Sequence, residues 1–522
     1  MRKNRRNQLV WAILVGIGAG TVAVAFQEAL HVAESLRGRL VAMLTAQGSG
    51  IALSAGLFAV LCVLVTAWGT RRFCPEAAGS GIPHLKGVLI GVRTMHGIWL
   101  IVVKFIGGLL AIGAGLSLGR EGPTVQMGGA VGQLFASGSA SKTPQSGSLL
   151  IAVGAGAGLS AAFNAPLAGF LFVMEELHFE FAPMPYISAL AASITADMIS
   201  RMAAGQLPAF LVFSHSTPPL SALPGFAILG VLSGLLALLF KKSLIGGLRW
   251  TNHLSPKAAW FVPVAAGMLA WLAVLYLPEV AGGGHETSEN MLNGSILHRG
   301  PGLIFLLLAG KFFLTLISYL AKVPGGIFAP MLVIGGLLGL GVGYVHCLIL
   351  PGLQGVTPEV FAVIGMASFF AGVVHAPLTG LALIIEMTAN FKLLFPMMVA
   401  TLLAFIMSEW WGGEPVYESL LNEDLRRSGP PPVLFQEPLS MHVQVEEESE
   451  MVDRRINQIG FPEGVLIVSV NRRGQKFVPS GLTELKEGDA LELMISGEVS
   501  TCTQEIRDLA HARLKPAGKA TS

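Results

Sequence analysis

An ionisable side chain inside an apolar, glycine-broken segment is the feature that most restricts the fold of this chain. Glu121 lies in the run Gly119-Arg120-Glu121-Gly122-Pro123, within a long apolar stretch. A carboxylate at membrane depth is costly, and such residues usually line a pathway or a cavity. The flanking glycines and proline end one helix and start another, which a bilayer tolerates where the free helix ends line a cavity. The run therefore predicts a polytopic membrane protein with interrupted helices, in which Glu121 occupies a helix start that suits an anion.

The composition places most of the chain in a membrane. Of its 522 residues, 52% are hydrophobic and 13% are charged, whereas an average soluble domain carries about 25% charged residues. Several apolar segments are too short or too rich in glycine to cross about 30 Å of hydrocarbon alone, so we expect tilted and re-entrant helices beside full spans. The basic start Met1–Arg6 precedes the apolar run Leu9–Phe26, which predicts an uncleaved first span with a cytoplasmic N-terminus. The predicted apolar helices lie near residues 8–35, 50–70, 97–117, 148–178, 185–203, 222–246, 257–277, 301–321, 327–350, 358–372, 376–390 and 393–411.

The membrane part, residues 1–425, contains an internal repeat with halves at about 8–203 and 222–425. The matching segments are Lys104-Phe105 and Lys311-Phe312, Glu121-Gly122-Pro123 and Phe328-Ala329-Pro330, Asn164–Gly169 and His375–Gly380, and Glu175 and Glu386. Two halves with segments broken at matching places indicate a secondary transporter with its site at the repeat interface. Shared ancestry alone would give the same repeat, and the sequence leaves the relative orientation of the halves open.

Beyond residue 425 the character of the chain changes. Residues 426–437 predict a linker, residues 438–512 a small soluble α+β domain, and residues 513–522 a disordered tail. The elements expected in this part and just before it are a short helix at Val416–Leu421, strands at Gly464–Val470, Lys476–Val478 and Ala490–Ile495, a hairpin turn at Arg472–Gly474, and a helix over Ser500–Ala512.

Three predicted helix starts share one pattern. We call the runs Gly79–Pro83, Gly119–Pro123 and Gly325–Pro330 the first, second and third helix breaks. In each, glycine lets the backbone approach closely and proline occupies a position that needs no amide hydrogen. Unpaired backbone N–H groups at such ends bind anions without a full positive charge, which lets the anion leave again. Ser80 and Tyr417 can add hydroxyl groups to such a site.

These motifs, in this chain order, resemble the CLC family of chloride channels and chloride/proton antiporters over about residues 8–425. The resemblance implies an all-α membrane fold of two inverted halves, with many tilted and re-entrant helices. It implies a homodimer in which each subunit holds its own pathway, located in the inner (plasma) membrane. Bound chloride ions are implied, and no other cofactor. The N-terminus and the C-terminal domain would both be cytoplasmic.

The resemblance also implies roles for individual residues. Ser80 and Tyr417 would flank a central anion, and the backbone amides of Ile327 and Phe328 would complete its shell. The two groups implied in gating and proton transfer are Glu121, a protonatable gate on the anion path, and Glu176, the inner proton-transfer carboxylate.

Simpler interpretations of these residues remain open. Ser80 could cap its helix, Tyr417 could be an interfacial aromatic residue, and Glu176 could be a solvated acid near a helix end. The flanking motifs favour the functional roles. Glu175 is interpreted as structural, through packing or capping, and so is its repeat partner. Lys322 stands at a position where many bacterial members of the family have a small residue. Its side chain could raise anion occupancy at the inner entrance or point away from it.

The soluble tail resembles a different module, the TrkA-C domain of bacterial potassium transport regulators. The resemblance rests on Val465–Val470, Gly474, Val478-Pro479, Gly488-Asp489 and Leu491–Met494. It implies a dimerising sensor for a small cytosolic ligand. A folding or assembly module is an equally good interpretation.

Carboxylates at both position 121 and position 176 favour exchange of chloride for protons over a passive, gated chloride channel of the same fold. By the same resemblance Ser80 favours chloride, with other anions left open. A ligand-gated cation channel is a remote alternative, because no Thr-Val-Gly-Tyr-Gly filter occurs. We expect no enzyme, since the chain has no His-Glu-x-x-His, nucleophile elbow or phosphate loop. The four cysteines show no metal spacing, and no basic patch indicates nucleic acid.

Overall fold

A computed structural model describes residues 2–47, 49–137, 144–177, 183–206, 210, 217–351, 356–428, 439–446, 449–462, 464–472, 474–495, 506 and 509–510. The chain divides into two compact units. The first comprises Met1–Leu89 and Met95–Glu423, and the second comprises Ile90–Thr94 and Asp424–Ser522.

The first unit is helical. Its helices are α1 (Arg2–Gln47), α2 (Ser49–Phe73), α3 (Ile82–Leu89), α4 (Gly97–Gly113), α5 (Glu121–Phe135), α6 (Pro144–Phe163), α7 (Pro166–Phe172), α8 (Pro183–Ala204), α9 (Leu223–His253), α10 (Phe261–Tyr276), α11 (His285–Leu292), α12 (Ser295–His298), α13 (Pro301–Leu320), α14 (Phe328–Ile349), α15 (Pro358–Val374), α16 (Pro377–Thr388), α17 (Leu394–Trp410) and α18 (Val416–Ser428). Within the described ranges, seven helical segments are long and apolar enough to cross a membrane. Shorter apolar helices lie beside them, so the predicted mixture of full and partial spans is confirmed.

The apolar segment predicted at 148–178 is broken, not continuous. α6 ends at Phe163 and α7 begins at Pro166, with Asn164 between them at a φ of 53°. Proline lacks the amide hydrogen that would continue the first helix, and asparagine tolerates the left-handed conformation that ends it. The second half repeats the break with His375, whose φ is 66°.

Reciprocal contacts relate the two halves by a pseudo-twofold axis. The Gly119 amide donates to the Gly326 carbonyl (2.6 Å), and the Gly326 amide donates to the Gly119 carbonyl (2.8 Å). These residues are equivalent in the repeat (326 − 119 = 207). When two equivalent residues each donate the same hydrogen bond to the other, the segments that carry them are related by a twofold axis. The two halves are therefore related by a local twofold axis.

A second reciprocal contact crosses the same boundary. The Glu386 carboxylate accepts the amides of Leu167 (2.9 Å) and Ala168 (2.8 Å) at the start of α7. Its counterpart Glu175 accepts the amides of Leu378 (3.1 Å) and Thr379 (2.7 Å) at the start of α16. Each half thus caps a helix of the other half, and both acids are structural.

The second unit contains a four-stranded antiparallel sheet in the order β1-β4-β2-β3. Its strands are β1 (Leu439–Gln444), β2 (Val465–Arg472), β3 (Gln475–Phe477) and β4 (Ala490–Ile495). The sequence analysis missed β1, which pairs with β4 along its whole length. One face of the sheet builds a small core from Val443, Val470 and the alternate residues of β4, Leu491, Leu493 and Ile495.

An ion pair between the partly exposed Arg472 and the buried Asp489 supports the turn before β4. Arg472 Nε and Nη2 donate to the two carboxylate oxygens of Asp489, at 2.8 and 2.6 Å. The Lys486 amide donates to the same carboxylate at 2.9 Å. Burial raises the pKa of Asp489, but the hydrogen bonds from Arg472 and from the Lys486 amide outweigh it and leave the pKa below its ordinary value.

Some predictions for the tail fall outside the described residues. α18 continues to Ser428, beyond the end predicted at Leu421 and into the predicted linker. Residues 429–438 and the tail 513–522 lie outside the described residues. So does most of the helix predicted over Ser500–Ala512, although Ile506 and Ala510 contribute to the core of the second unit.

Candidate functional site

The three helix breaks lie together in the first unit. The Gly79 amide donates to the Val323 carbonyl (2.9 Å) and the Gly325 amide donates to the Gly79 carbonyl (3.1 Å), which joins the first and third breaks. The Gly119–Gly326 pair joins the second and third. These backbone bonds hold the N-terminal ends of α3, α5 and α14 around one point. The positively polarised ends of three helices thus lie close together.

Glycine is required where the breaks touch. A Cβ atom on Gly122 would lie 2.6 Å from Ser80 Oγ and 3.0 Å from Gly326 Cα. Real Cβ atoms do not approach other atoms so closely, so any side chain at this position would push the three breaks apart. The glycines noted in the sequence are therefore explained by close approach of backbone to backbone.

Two buried hydroxyl groups lie at this meeting point. Ser80 and Tyr417 are both fully buried. The Tyr417 hydroxyl approaches that of Ser80, but neither oxygen meets the geometry of a hydrogen bond with any described residue. Buried hydroxyls are usually paired. Two hydroxyls that can both donate suit a small anion, which accepts hydrogen bonds and offers none.

The start of α14 supplies backbone donors to the same region. Ile327 precedes the first residue of α14, Phe328, and both are fully buried. Amides in the first turn of a helix have no acceptor within that helix. The Phe328 ring packs against Phe163 and Phe370, with ring centroids 5.3 and 4.6 Å away. This packing fixes the helix start that carries the two amides.

Glu121 begins α5 and is only 3% exposed. Its carboxylate lies beside its own backbone amide and that of Ala329, in the first turn of α14. Oε2 is buried and has no hydrogen-bond partner among the described residues, and Arg120 Nε is 3.9 Å from Oε1. The carboxylate therefore occupies a place between two helix starts where a dissolved anion would also be stabilised.

A cavity of about 240 Å³ opens beside this carboxylate. Its lining includes Glu121, Arg120, His31, Asn164 and His285. Arg120 Nη1 lies 3.3 Å from His31 Nε2. The Arg120 side chain thus belongs to the wall of this cavity.

Glu176 lies in the π-helical turn Val173–Leu177 and is 3% exposed. Its Oε1 accepts a hydrogen bond from Lys86 Nζ at 2.8 Å. The same ammonium lies 3.5 Å from Oε1 of Glu418. A solvated acid at a helix end, the simpler interpretation, is wrong for Glu176, because the carboxylate is buried and paired.

Lys86 is a residue that the sequence analysis did not single out. It lies on α3, in the same short apolar helix that follows Ser80, and is 8% exposed. A single cation in a short helix at membrane depth was the available signal. Its partner could not be inferred, because Lys86 and Glu176 lie far apart in the chain.

Two further lysines, at equivalent positions of the repeat, are fully buried. Lys104 Nζ donates to the carbonyls of Ala77 (2.9 Å) and Gly79 (2.7 Å), beside the first helix break. Lys311 Nζ donates to the Gly282 carbonyl (2.8 Å). These ammonium groups hold irregular backbone in place.

Lys322 stands just before the third helix break, with a φ of 56°. Its Nζ donates to Asn252 Oδ1 at 2.6 Å. This hydrogen bond ties Lys322 to the end of α9.

Repeated halves that are related by a twofold axis, and whose broken helices meet at a buried carboxylate, are typical of secondary transporters with a site at the repeat interface. The chain belongs to the CLC family: the family model described as voltage gated chloride channel matches residues 61–409. A second family model, the TrkA-C domain, matches residues 441–499.

Named relatives and solved structures agree with this membership. The H(+)/Cl(-) exchange transporter ClcA of Vibrio cholerae serotype O1 (strain M66-2) is 37% identical over 423 residues, 80% of this chain and 90% of the relative. The protein of the same name from Salmonella paratyphi B (strain ATCC BAA-1250 / SPB7) is 34% identical over 424 residues, 80% of this chain and 89% of the relative. The crystal structure of a slow cyanobacterial Cl-/H+ antiporter is 35% identical, covers 80% of this chain and 98% of its own, and superposes with a TM-score of 0.77. The predicted all-α membrane fold with a small C-terminal domain is confirmed.

Proposed function

We propose that this protein is a chloride/proton antiporter in which Glu121 is the protonatable gate of the anion path. The observation that carries the proposal is the buried Glu121 carboxylate between the starts of α5 and α14, next to the meeting point of the helix breaks. The relatives named as H(+)/Cl(-) exchange transporters support the same function.

The anion site follows from the same geometry. Chloride would lie between the hydroxyls of Ser80 and Tyr417 and accept from the backbone amides of Ile327 and Phe328. None of these donors carries a full charge, so the anion is stabilised without being trapped. The two orphaned, buried hydroxyls support this assignment.

Exchange follows from competition between one carboxylate and one anion. Ionised Glu121 occupies the place between the helix starts and excludes chloride. Protonated Glu121 loses its attraction to those dipoles, so the anion enters. Each passage of chloride is thus tied to a proton on the same side chain.

Glu176 is proposed as the inner proton-transfer carboxylate, and Lys86 holds it in position. The 2.8 Å bond between the two fixes one carboxylate oxygen, while the other remains free to exchange a proton. The electrostatic field of Glu176 also reaches the Tyr417 hydroxyl.

Reconstitution into liposomes with a chloride gradient, with external pH followed, tests the proposal. We expect uphill proton movement driven by chloride. Glu121→Gln mimics the protonated gate and should keep chloride flux while losing proton coupling. Glu176→Gln should also lose proton movement and keep chloride flux. Glu289→Gln, an exposed acid on α11, is the matched control and should behave as the wild type.

Two results would overturn the assignment. Chloride flux through the wild type without any pH change would establish a passive channel of the same fold. Full proton coupling in the Glu176→Gln variant would remove Glu176 from the proton path.

Family membership also motivates proposals on assembly, orientation and the second unit. We propose a homodimer in the inner membrane with the N-terminus and residues 438–512 on the cytoplasmic side. Protease digestion of the C-terminal part only in inside-out vesicles would support this orientation.

The second unit is proposed to bind a small cytosolic ligand. Truncation after Ser428 tests this, because a sensor changes the transport rate of the intact dimer, whereas an assembly module changes only its oligomeric state.

A further inference from the structure

A fourth buried lysine, Lys241 on α9, has no role in the anion path described above. Its side chain is 5% exposed, inside one of the apolar helices long enough to span a membrane. An ammonium group there is costly and is retained for a reason. It lies 2.9 Å from His375 Nε2, 2.8 Å from Ser408 Oγ and 3.0 Å from the Glu414 carbonyl.

These three contacts use every donor that an ammonium group has. Because Lys241 can only donate, His375 Nε2 must accept, which places the ring hydrogen on Nδ1. The Ser408 hydroxyl passes its own hydrogen to the Gly372 carbonyl at 2.7 Å. His375 Nε2 also lies 3.1 Å from Ser408 Oγ, so the ammonium, the ring and the hydroxyl form one buried network, and a satisfied buried network is rigid.

The acceptors belong to the ends of three different elements. His375 ends α15, and Ser408 lies in the last turn of α17. Glu414 lies in the connection that leads into α18. A Cβ atom on Gly413 would lie 2.7 Å from Lys241 Nζ. This connection is thus built directly against the ammonium group.

The connection determines where Tyr417 lies. Its hydroxyl approaches Ser80 from the first turn of α18, and the Ser419 amide closes that turn on the Pro415 carbonyl at 3.0 Å. A shift of the Glu414 carbonyl therefore moves the whole turn that carries the tyrosine. Lys104 does the same for the Ser80 side, through the Gly79 carbonyl at 2.7 Å.

We propose that Lys241 is a positioning residue that fixes the start of α18 and thereby the Tyr417 hydroxyl at the anion site. This rests on the proposed antiport function. With Lys241 removed, the Glu414 carbonyl and His375 Nε2 lose their donor and the first turn of α18 loosens. Some chloride then passes Tyr417 without an accompanying proton transfer, so fewer protons move for each chloride.

The proton-to-chloride ratio of Lys241→Met in liposomes tests this. The loss of one hydrogen bond of ordinary strength corresponds to about a fivefold change in a rate, so we expect the leak of uncoupled chloride to rise about fivefold. Lys242→Met, an exposed neighbour on the same helix, should keep the wild-type ratio. Lys241→Arg, which keeps the charge and the donors, should restore most of the coupling.

A double-variant comparison separates positioning of Tyr417 from general loosening. In a Tyr417→Ala background, Lys241→Met should change the ratio no further, because its effect acts through the tyrosine. An undiminished effect in that background would overturn the inference, as would a wild-type ratio in Lys241→Met. Lys241→Met could fail to elute as folded protein, and Ser408→Ala, which removes one acceptor, then serves in its place. Ser408→Ala should give a smaller loss of coupling. A wild-type ratio in Ser408→Ala would count against the inference. A wild type that moves no protons would instead refute the antiport function itself.

Discussion

The reciprocal caps between the two halves should be a major source of stability in the membrane unit. Glu386 accepts two amides at the start of α7, from Leu167 and Ala168, at 2.9 and 2.8 Å. Glu386→Gln keeps the shape of the side chain but offers one acceptor oxygen in place of two. Its amide group then faces a backbone N–H that it cannot bind. The variant therefore loses one charge-assisted hydrogen bond and weakens the other.

The expected cost follows from these two bonds. A hydrogen bond to a charged group contributes about 1.5–3 kcal/mol, and Glu386 is partly exposed, so the lower end applies, about 2 kcal/mol. That corresponds to a fall of about 2 °C in the Tm of a protein of this size. Glu175→Gln removes the equivalent cap, and the double variant should lose about twice as much if the two caps act independently.

Hydrogen exchange gives the sharper measurement. The amides of Leu167 and Ala168 should exchange about 30-fold faster in Glu386→Gln, the factor that corresponds to about 2 kcal/mol of local opening. Glu409→Gln, an exposed acid at the end of α17, is the control for a lost carboxylate. If Glu386→Gln matched this control in both Tm and amide exchange, the cap would contribute nothing measurable to stability.

Three further predictions follow from the structure. Gly122→Ala should abolish transport in a protein that still inserts, measured by chloride efflux, because the new methyl group would lie 2.6 Å from the Ser80 hydroxyl; efflux at the wild-type rate would contradict the close approach. Lys86→Met should slow proton movement more than chloride movement in liposomes, because it releases the carboxylate of Glu176; an equal loss of both fluxes would argue against a role in the proton step. Asp489→Asn should destabilise the second unit of the full-length protein by about 3 kcal/mol at neutral pH, measured by hydrogen exchange over β2 and β4. Since the pKa of Asp489 is lowered in the folded state, its contribution is present above the unfolded value of about 3.9 and lost as pH falls below it; a cost that stayed constant down to low pH would contradict this.

The sequence was most informative where the chemistry is local. Glycine and proline at the three helix breaks predict interrupted helices, and their repetition predicts two related halves. The hydrophobic pattern gave a wrong prediction at Asn164. It predicted one helix over residues 148–178, but Asn164 and the proline that follows it divide this stretch into two helices. Local signals also failed at β1, because its partner β4 lies far along the chain and only the pairing makes the segment a strand.

Contacts between distant segments outside the predicted anion site could not be predicted. Nothing local in the sequence joins Lys86 to Glu176, or Lys241 to the connection before α18. The repeat did predict that Glu175 and Glu386 are equivalent, but it did not show that each caps a helix of the opposite half. That exchange depends on the twofold relation of the halves, which the Gly119–Gly326 pair and the two caps themselves reveal in the structure.

The buried lysines are arranged so that none of them occupies the proposed anion site. The ammonium groups of Lys104, Lys241 and Lys311 are directed at backbone carbonyls or neutral side chains, and that of Lys86 is directed at carboxylates. The donors of these side chains are engaged with protein atoms. In the proposed site, direct contact with the anion is left to hydroxyls and helix-start amides, and such neutral donors let an anion leave again. Lysines that pair with the protein thus hold irregular backbone in place, and dipoles that face the proposed pathway stabilise a passing ion. A free lysine in the path would do both, but it would release the ion more slowly.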